Sequence, residues 1–92
     1  MADVIIKLKV MPSSTDINLN ILQKFCEDKI KEFGAKMIHS VKQEPIAFGL
    51  KALVFTFLAD EKKGDTEKLE IQIKTSKEVQ SAEVIDVRRA VG

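Results

Sequence analysis

The sequence is poor in the residues that most often carry chemistry: it has one cysteine, Cys26, one histidine, His39, and neither tryptophan nor tyrosine. A single cysteine excludes an internal disulfide and a multi-cysteine zinc site, and it favours a reducing compartment. No local cysteine–histidine or serine–histidine–aspartate arrangement is available for nucleophilic catalysis. The sequence therefore predicts no metal site, no bound cofactor and no catalytic residues.

Neither sign of charge is in excess, because 15 Lys and Arg residues against 14 Asp and Glu residues give a net charge of +1. A broadly basic surface for nucleic acid is therefore not expected. No apolar run approaches the ~20 residues that span a bilayer, and the amino terminus lacks the basic and apolar regions of a signal peptide. These absences predict a soluble, cytoplasmic protein without membrane contact.

The composition is sufficient for one folded domain over residues 1–92, which we expect to be monomeric when free. Hydrophobic residues make up 45% of the chain, and the 32% of charged residues are balanced, so disorder is not expected. Apolar periodicity predicts six elements in the order strand, helix, strand, strand, helix, strand. They are a strand at 4–11, a helix at 19–33, strands at 36–44 and 50–59, a helix beginning at 65 or 66, and a strand at 82–89.

Capping residues and apolar positions add detail to these predicted elements. Residues 13–16 carry side chains that can cap the first helix, and Gly34 is expected at its left-handed exit. Cys26 lies on the apolar stripe of that helix and is expected in the core. In the second strand, Met37 and Val41 are expected to share one face. The segment around Ile71 alternates as a strand does, but its length and its capping residues favour a helix.

This order of elements predicts an α+β fold, the ferredoxin-like plait (βαββαβ). Each crossover returns right-handed onto the same side, so a four-stranded antiparallel sheet should carry both helices on one face. The fold hosts unrelated functions. One alternative is an RNA-recognition-like module that stacks single-stranded RNA on aromatic residues of the central strands. Its candidates, Phe55 and Phe57, lack the basic–glycine–aromatic motif and are expected in the core.

Another alternative is a small phosphate-ester hydrolase, which would need a glycine-rich phosphate cradle and an arginine after the first strand. Residues 11–18, MPSSTDIN, contain neither. Two segments point instead to a protein partner. Residues 44–49 join two strands with a proline, an aromatic and a glycine, either folded back on the core or exposed as an apolar knob. The pair Arg88 and Arg89, close to the carboxyl terminus, is either a solvated strand end or a cationic contact for a partner.

At these segments the sequence resembles archaeal translation elongation factor 1-beta and the exchange domain of its eukaryotic relatives. The resemblance covers residues 3–91. It rests on the opening strand ending in Met-Pro, EPIAFGLKAL at 44–53, DTEKLE at 65–70 and VQSAEVIDVRR at 79–89. It agrees with the plait, supports a helix over 66–77, and implies a guanine nucleotide exchange factor for elongation factor 1-alpha. Such a factor opens the partner's GDP and Mg²⁺ site without covalent chemistry.

The resemblance also implies which residues contact the partner. They are Pro45, Ile46, Ala47, Phe48, Gly49, Lys51, Arg88 and Arg89. In the eukaryotic exchange domain a lysine beside the carboxyl terminus reaches towards the Mg²⁺ and phosphate site, and the matching position here is Arg89. Because a guanidinium is planar rather than compact, Arg89 is expected to compete for phosphate oxygens.

Overall fold

The strands and helices follow the predicted order in a computed structural model that describes residues 3–63 and 66–90. All four strands form one antiparallel sheet in the order β2–β3–β1–β4, which confirms the ferredoxin-like plait. The elements are β1 (Asp3–Pro12), α1 (Leu19–Phe33), β2 (Met37–Pro45), β3 (Lys51–Asp60), α2 (Thr66–Lys74) and β4 (Val79–Arg89), with 3-10 turns at Ala47–Gly49 and Glu61–Lys63.

The core lies between one face of the sheet and the two helices. Alternate residues of the central strands point into it because successive strand residues face opposite sides. They meet Leu22, Cys26 and Ile30 of α1 and Leu69 and Ile73 of α2. The strand residues of this core are Ile6, Leu8, Val10, Leu53, Phe55, Phe57 and Ala59 of the central strands and Val79 and Ala82 of β4. The prediction that Phe55, Phe57 and Cys26 belong to the core is therefore confirmed.

The first helix is capped by Asn18, not by residues 13–16. The Asn18 side chain accepts from the backbone N–H of Asn20 at 2.9 Å and of Ile21 at 3.3 Å. The predicted cap is wrong because the turn after β1 continues to residue 18, tied down by a hydrogen bond from the Ser13 N–H to the Glu78 carbonyl at 2.8 Å. Gly34 ends the helix at φ 108°, as predicted.

A β-bulge at His39 changes the faces of β2. Its pairing with β3 shifts between Ile38 and Ser40, so one extra residue interrupts the alternation. Ile38 and Val41 consequently pack against the core, whereas Met37 is 54% exposed on the other face of the sheet. The prediction that Met37 and Val41 share a face is wrong for this reason.

The segment after the second 3-10 turn is a helix, and Ile71 is 56% exposed while Leu69 and Ile73 are buried. It ends at Lys74 rather than at residue 77, and β4 begins at Val79, three residues earlier than predicted. Strand β4 bulges at Ile85. Beside this bulge, the Glu70 carboxylate accepts from the backbone N–H of Val84 at 2.7 Å and ties α2 to β4.

Candidate partner-binding site

The two predicted contact segments lie at opposite ends of the sheet. Arg89 is opposite Val4, and Val4 is opposite Ala59 of β3. Pro45 is opposite Lys51, eight residues earlier on β3. At ~3.3 Å per strand residue, the two segments are separated by roughly 26 Å. We call the end that carries residues 45–51 the loop end and the end that carries Arg88 and Arg89 the arginine end.

At the loop end, the connection between β2 and β3 projects Phe48 into solvent. Its side chain is 94% exposed. The loop is closed at its base, where the Ile46 N–H donates to the Leu50 carbonyl at 2.7 Å and the Leu50 N–H donates to the Ala47 carbonyl at 3.3 Å. Of the two alternatives for this segment, the structure shows the exposed knob rather than a loop folded back on the core.

The backbone of Phe48 is in the left-handed region, at φ 63° and ψ 30°, followed by Gly49 at φ 78°. Glycine tolerates this conformation, but other L-residues lose roughly 1–2 kcal/mol there. Because the ring is exposed, its burial contributes no free energy to offset this cost. Folding therefore gives no reason for a phenylalanine at position 48, whereas exposed aromatic side chains frequently anchor protein partners.

The turn after β1 extends the loop end. A cavity of about 240 Å³ lies between this turn and the β2–β3 connection. Gly49 and Lys51 line it on one side, and the residues that line it on the other are Pro12, Ser14, Thr15, Ile17 and Leu19. Pro45, Ala47 and Lys51 are exposed, and Ile46 is half-buried. The predicted residues 45–51 are thus brought together on one surface. Sequence reasoning missed Ser14 and Thr15 as neighbours because it assigned that turn to helix capping.

At the arginine end, Arg88 and Arg89 point to opposite faces of the sheet. Arg88 is opposite Ile5, on the uncovered face, and Arg89 is opposite Val4, on the helix face. The side chains are largely exposed and each makes an ion pair. Arg88 Nε lies 2.8 Å from Asp86 Oδ2, and a second carboxylate holds Arg89.

That carboxylate is Glu61, whose Oε2 lies 3.3 Å from Arg89 Nη2. The turn that carries Glu61 is fixed by the Asp60 carboxylate, which accepts from the Lys62 N–H at 2.9 Å. This bond, with the charges of Lys36 and Lys62, lowers the pKa of Asp60. Exposed ion pairs contribute only ~0–1 kcal/mol, so an anion on a partner can displace Glu61. No motif in the sequence identified Glu61 as a neighbour of Arg89.

A metal site, a thiolate nucleophile and a membrane-spanning helix each place requirements on the described residues. Within residues 3–63 and 66–90, no three His, Cys, Asp or Glu side chains are grouped to hold a metal ion. Burial raises the pKa of the Cys26 thiol to about 12, so it is not a thiolate nucleophile at neutral pH. Over the same described ranges, no helix is long and apolar enough to cross a membrane.

The aromatic residues of β3 are not available to RNA bases. Phe55 and Phe57 are fully buried under the helices. On the uncovered face, β3 presents Val54, Thr56 and Leu58 instead. A base-stacking platform needs exposed rings on that face, so this surface lacks what the RNA-binding alternative requires.

The structure thus defines a ferredoxin-like plait with an exposed apolar knob at one end and two arginines in exposed ion pairs at the other. The sequence comparisons identify the family of this plait. The profile of the EF-1 guanine nucleotide exchange domain matches residues 5–90, and the chain belongs to that family, as the sequence predicted.

Curated relatives match over nearly their whole length. Elongation factor 1-beta of Methanothermobacter thermautotrophicus is 39% identical over 89 residues, covering 97% of this chain and 98% of the relative. Elongation factor 1-beta of Methanosphaera stadtmanae is 42% identical over 89 residues, with the same coverage of both chains.

A similar solved structure is LarC2, the C-terminal domain of a cyclometallase involved in the synthesis of the NPN cofactor of lactate racemase. It has a TM-score of 0.64 at 12% identity, covering 99% of this chain and 58% of that one. This likeness concerns the fold alone.

Proposed function

We propose that this protein promotes the exchange of GDP for GTP on elongation factor 1-alpha, and that residues 1–92 form one exchange domain without enzymatic chemistry of its own. Membership of the exchange-domain family supports the activity. The observation that carries the site is the exposed, left-handed Phe48. Its conformation is unfavourable for the isolated fold and its ring is available to a partner.

The two ends contact two separate regions of the partner. Their separation of roughly 26 Å along the strands is too large for one pocket. The loop end offers an aromatic anchor, which suits affinity, because buried aromatic side chains dominate interface energetics. The arginine end offers two guanidinium groups, which suit a phosphate-bearing site. We assign anchoring to Phe48 and the action on the nucleotide site to Arg89.

Arg89 acts by competing for the anionic groups around the bound nucleotide. In the free protein it is held by Glu61 at 3.3 Å, a contact exposed enough to be exchanged for a stronger one. A guanidinium can bind phosphate oxygens through two parallel hydrogen bonds. A phosphate oxygen engaged by Arg89 would no longer be available to Mg²⁺ or to the partner's own hydrogen-bond donors, so the partner would hold GDP less firmly.

Linkage sets the thermodynamic limits of this step. A factor that prefers the nucleotide-free partner weakens nucleotide binding by the same ratio by which nucleotide weakens binding of the factor. The factor therefore weakens the binding of both GDP and GTP. The direction of exchange follows from the concentrations of the two nucleotides, so the factor itself need not distinguish them.

The decisive experiment follows a fluorescent GDP analogue as it leaves elongation factor 1-alpha in excess GTP. We expect catalytic amounts of this protein to accelerate release, with a rate that saturates as the partner concentration rises. Unchanged release across that range would contradict the proposed function.

We further propose that the protein works in the cytoplasm, is monomeric when free, and binds neither nucleic acid nor membrane directly. The near-neutral charge of the chain supports this, as does the burial of Phe55 and Phe57. Salt-sensitive binding of single-stranded RNA would contradict the proposal.

A further inference from the structure

The face of the sheet that the helices leave uncovered carries a row of apolar side chains at the arginine end. Met37 lies opposite Leu58 on β3, and Leu58 lies opposite Ile5 on β1. Ile5 in turn lies opposite Arg88 on β4. Residues directly opposite one another in antiparallel strands point to the same face. The apolar row of Met37, Leu58 and Ile5 therefore ends in a cation.

The apolar row is accessible. Met37 is 54% exposed and Ile5 is 37% exposed, while Leu58 is half-buried. A cavity of about 120 Å³ opens among them, lined by Ile5, Met37, His39, Phe57 and Leu58. At ~30 Å³ per water molecule, this volume equals about four waters. It is comparable with one aliphatic side chain.

The neighbouring rows on the same face are mainly polar. From β2 to β4, the next row consists of Ser40, Thr56, Lys7 and Asp86, and the row after it consists of Lys42, Val54, Lys9 and Glu83. Apolar surface on this face is therefore concentrated at the arginine end. A charged border around an apolar centre is the usual anatomy of a protein interface.

We propose that the apolar row is a contact surface for elongation factor 1-alpha, adjacent to the place where Arg88 and Arg89 act. The inference rests on the proposed function. Continuity identifies the occupant, because Arg88 belongs to the same row and neighbouring strands are only ~4.8 Å apart. A partner that engages Arg88 from the uncovered face also covers Ile5. The two arginines then have different roles, with Arg88 on the apolar side and Arg89 on the helix side.

A second copy of this chain fits the row less well. A stable dimer buries ~800 Å² on each partner, about 20–30 residues. The apolar row supplies three side chains, and its surroundings are charged. It is large enough to add to an interface held elsewhere, at Arg88 and at the loop end, but too small to sustain one alone.

The test compares Met37→Glu with Ile71→Glu, using the full chain and the GDP-release assay. Ile71 is a matched control, because it is 56% exposed and lies on α2, away from the uncovered face. A glutamate buried in an apolar contact carries an unpaired charge out of water, so we expect kcat/KM to fall about five- to tenfold for Met37→Glu. We expect less than a twofold change for Ile71→Glu.

If the wild type accelerates GDP release but Met37→Glu and Ile71→Glu have equal effects, the inference is overturned and the proposed function stands. Absence of acceleration by the wild type overturns both. If Met37→Glu unfolds, as judged by circular dichroism, Met37→Thr replaces it, since threonine is well tolerated in strands. Light scattering identifies self-association: a wild-type dimer that Met37→Glu converts to a monomer assigns the row to a second copy and overturns the inference.

Discussion

At residue 48, folding and binding make opposite demands. The fold would be better served by a residue that tolerates a positive φ, whereas a partner needs the ring that projects from the loop. The sequence identified this position through the Pro-apolar-aromatic-Gly order of residues 45–49. It did not reveal the left-handed backbone of Phe48, because nothing in a local pattern distinguishes which of two adjacent residues carries the turn.

Replacing Phe48 should separate the two demands. Phe48→Asn is expected to raise the free energy of unfolding by about 0.5–1 kcal/mol, because asparagine adopts the left-handed region more readily. Phe48→Ala keeps the unfavourable backbone and should leave the stability nearly unchanged. Both variants should weaken association with elongation factor 1-alpha. Urea denaturation and a binding titration measure the two effects, and a destabilised Phe48→Asn variant would contradict this account of the loop.

Arg89 and Glu61 form the second residue-scale case. Arg89→Ala should slow GDP release while leaving the fold intact, because its side chain is exposed and its ion pair with Glu61 is weak. Glu61→Gln should speed release about two- to threefold by removing the competing carboxylate.

The Glu61→Gln effect should vanish in an Arg89→Ala background, since it acts through that arginine. A double-mutant cycle on GDP-release rates measures this coupling. An effect of Glu61→Gln that persists without Arg89 would assign Glu61 a different role.

At the scale of the element, patterns of period two and of spacing three to four predicted α1 and the four strands, but not the interruptions within them. The bulge at His39 is an example: it moves Met37 to the uncovered face. Bulges depend on the pairing with the neighbouring strand, which a single strand's sequence does not contain. The helix α2 was ambiguous because Leu69, Ile71 and Ile73 alternate as they would in a strand, although the helix buries Leu69 and Ile73 and leaves Ile71 exposed.

The cap of α1 gives an element-scale prediction. Asn18→Ala should lower the free energy of unfolding by about 1 kcal/mol, because the N–H groups of Asn20 and Ile21 lose their acceptor. Asp16→Ala, at a position that the sequence alone favoured as a cap, should change it by less than ~0.5 kcal/mol. Thermal or urea unfolding compares the two variants, and the reverse ranking would restore the sequence-based prediction.

At the scale of the whole molecule, the separation of the loop end from the arginine end is the main result that sequence reasoning did not reach. Strand order and register separate the Pro45–Lys51 pair from the row of Arg89 by eight residues of β3, roughly 26 Å at ~3.3 Å per residue. The prediction of the fold contained the antiparallel order. It did not specify which residues are opposite one another, so both segments were attributed to one partner without a distance between them.

Distance makes the effects of the two ends independent. The loss of transition-state stabilisation, RT ln of the wild-type to variant ratio of kcat/KM, should be additive. For the double variant Phe48→Ala, Arg89→Ala it should equal the sum of the single losses to within ~0.5 kcal/mol, as is usual for sites more than ~10 Å apart. GDP-release kinetics of the four proteins provide the measurement. If the double variant has the same kcat/KM as the more impaired single variant, both residues serve one contact.

The bulges have a consequence for solubility at high concentration. Strands β2 and β4 are the two outer strands of the sheet, and both carry a register shift. A regular outer strand offers a template on which another chain can extend the sheet, and bulges are a recognised defence against such fibre growth. On β4 the Glu70 side chain also occupies the N–H of Val84. The bulges, which the sequence did not predict, therefore protect the protein from aggregation through its outer strands.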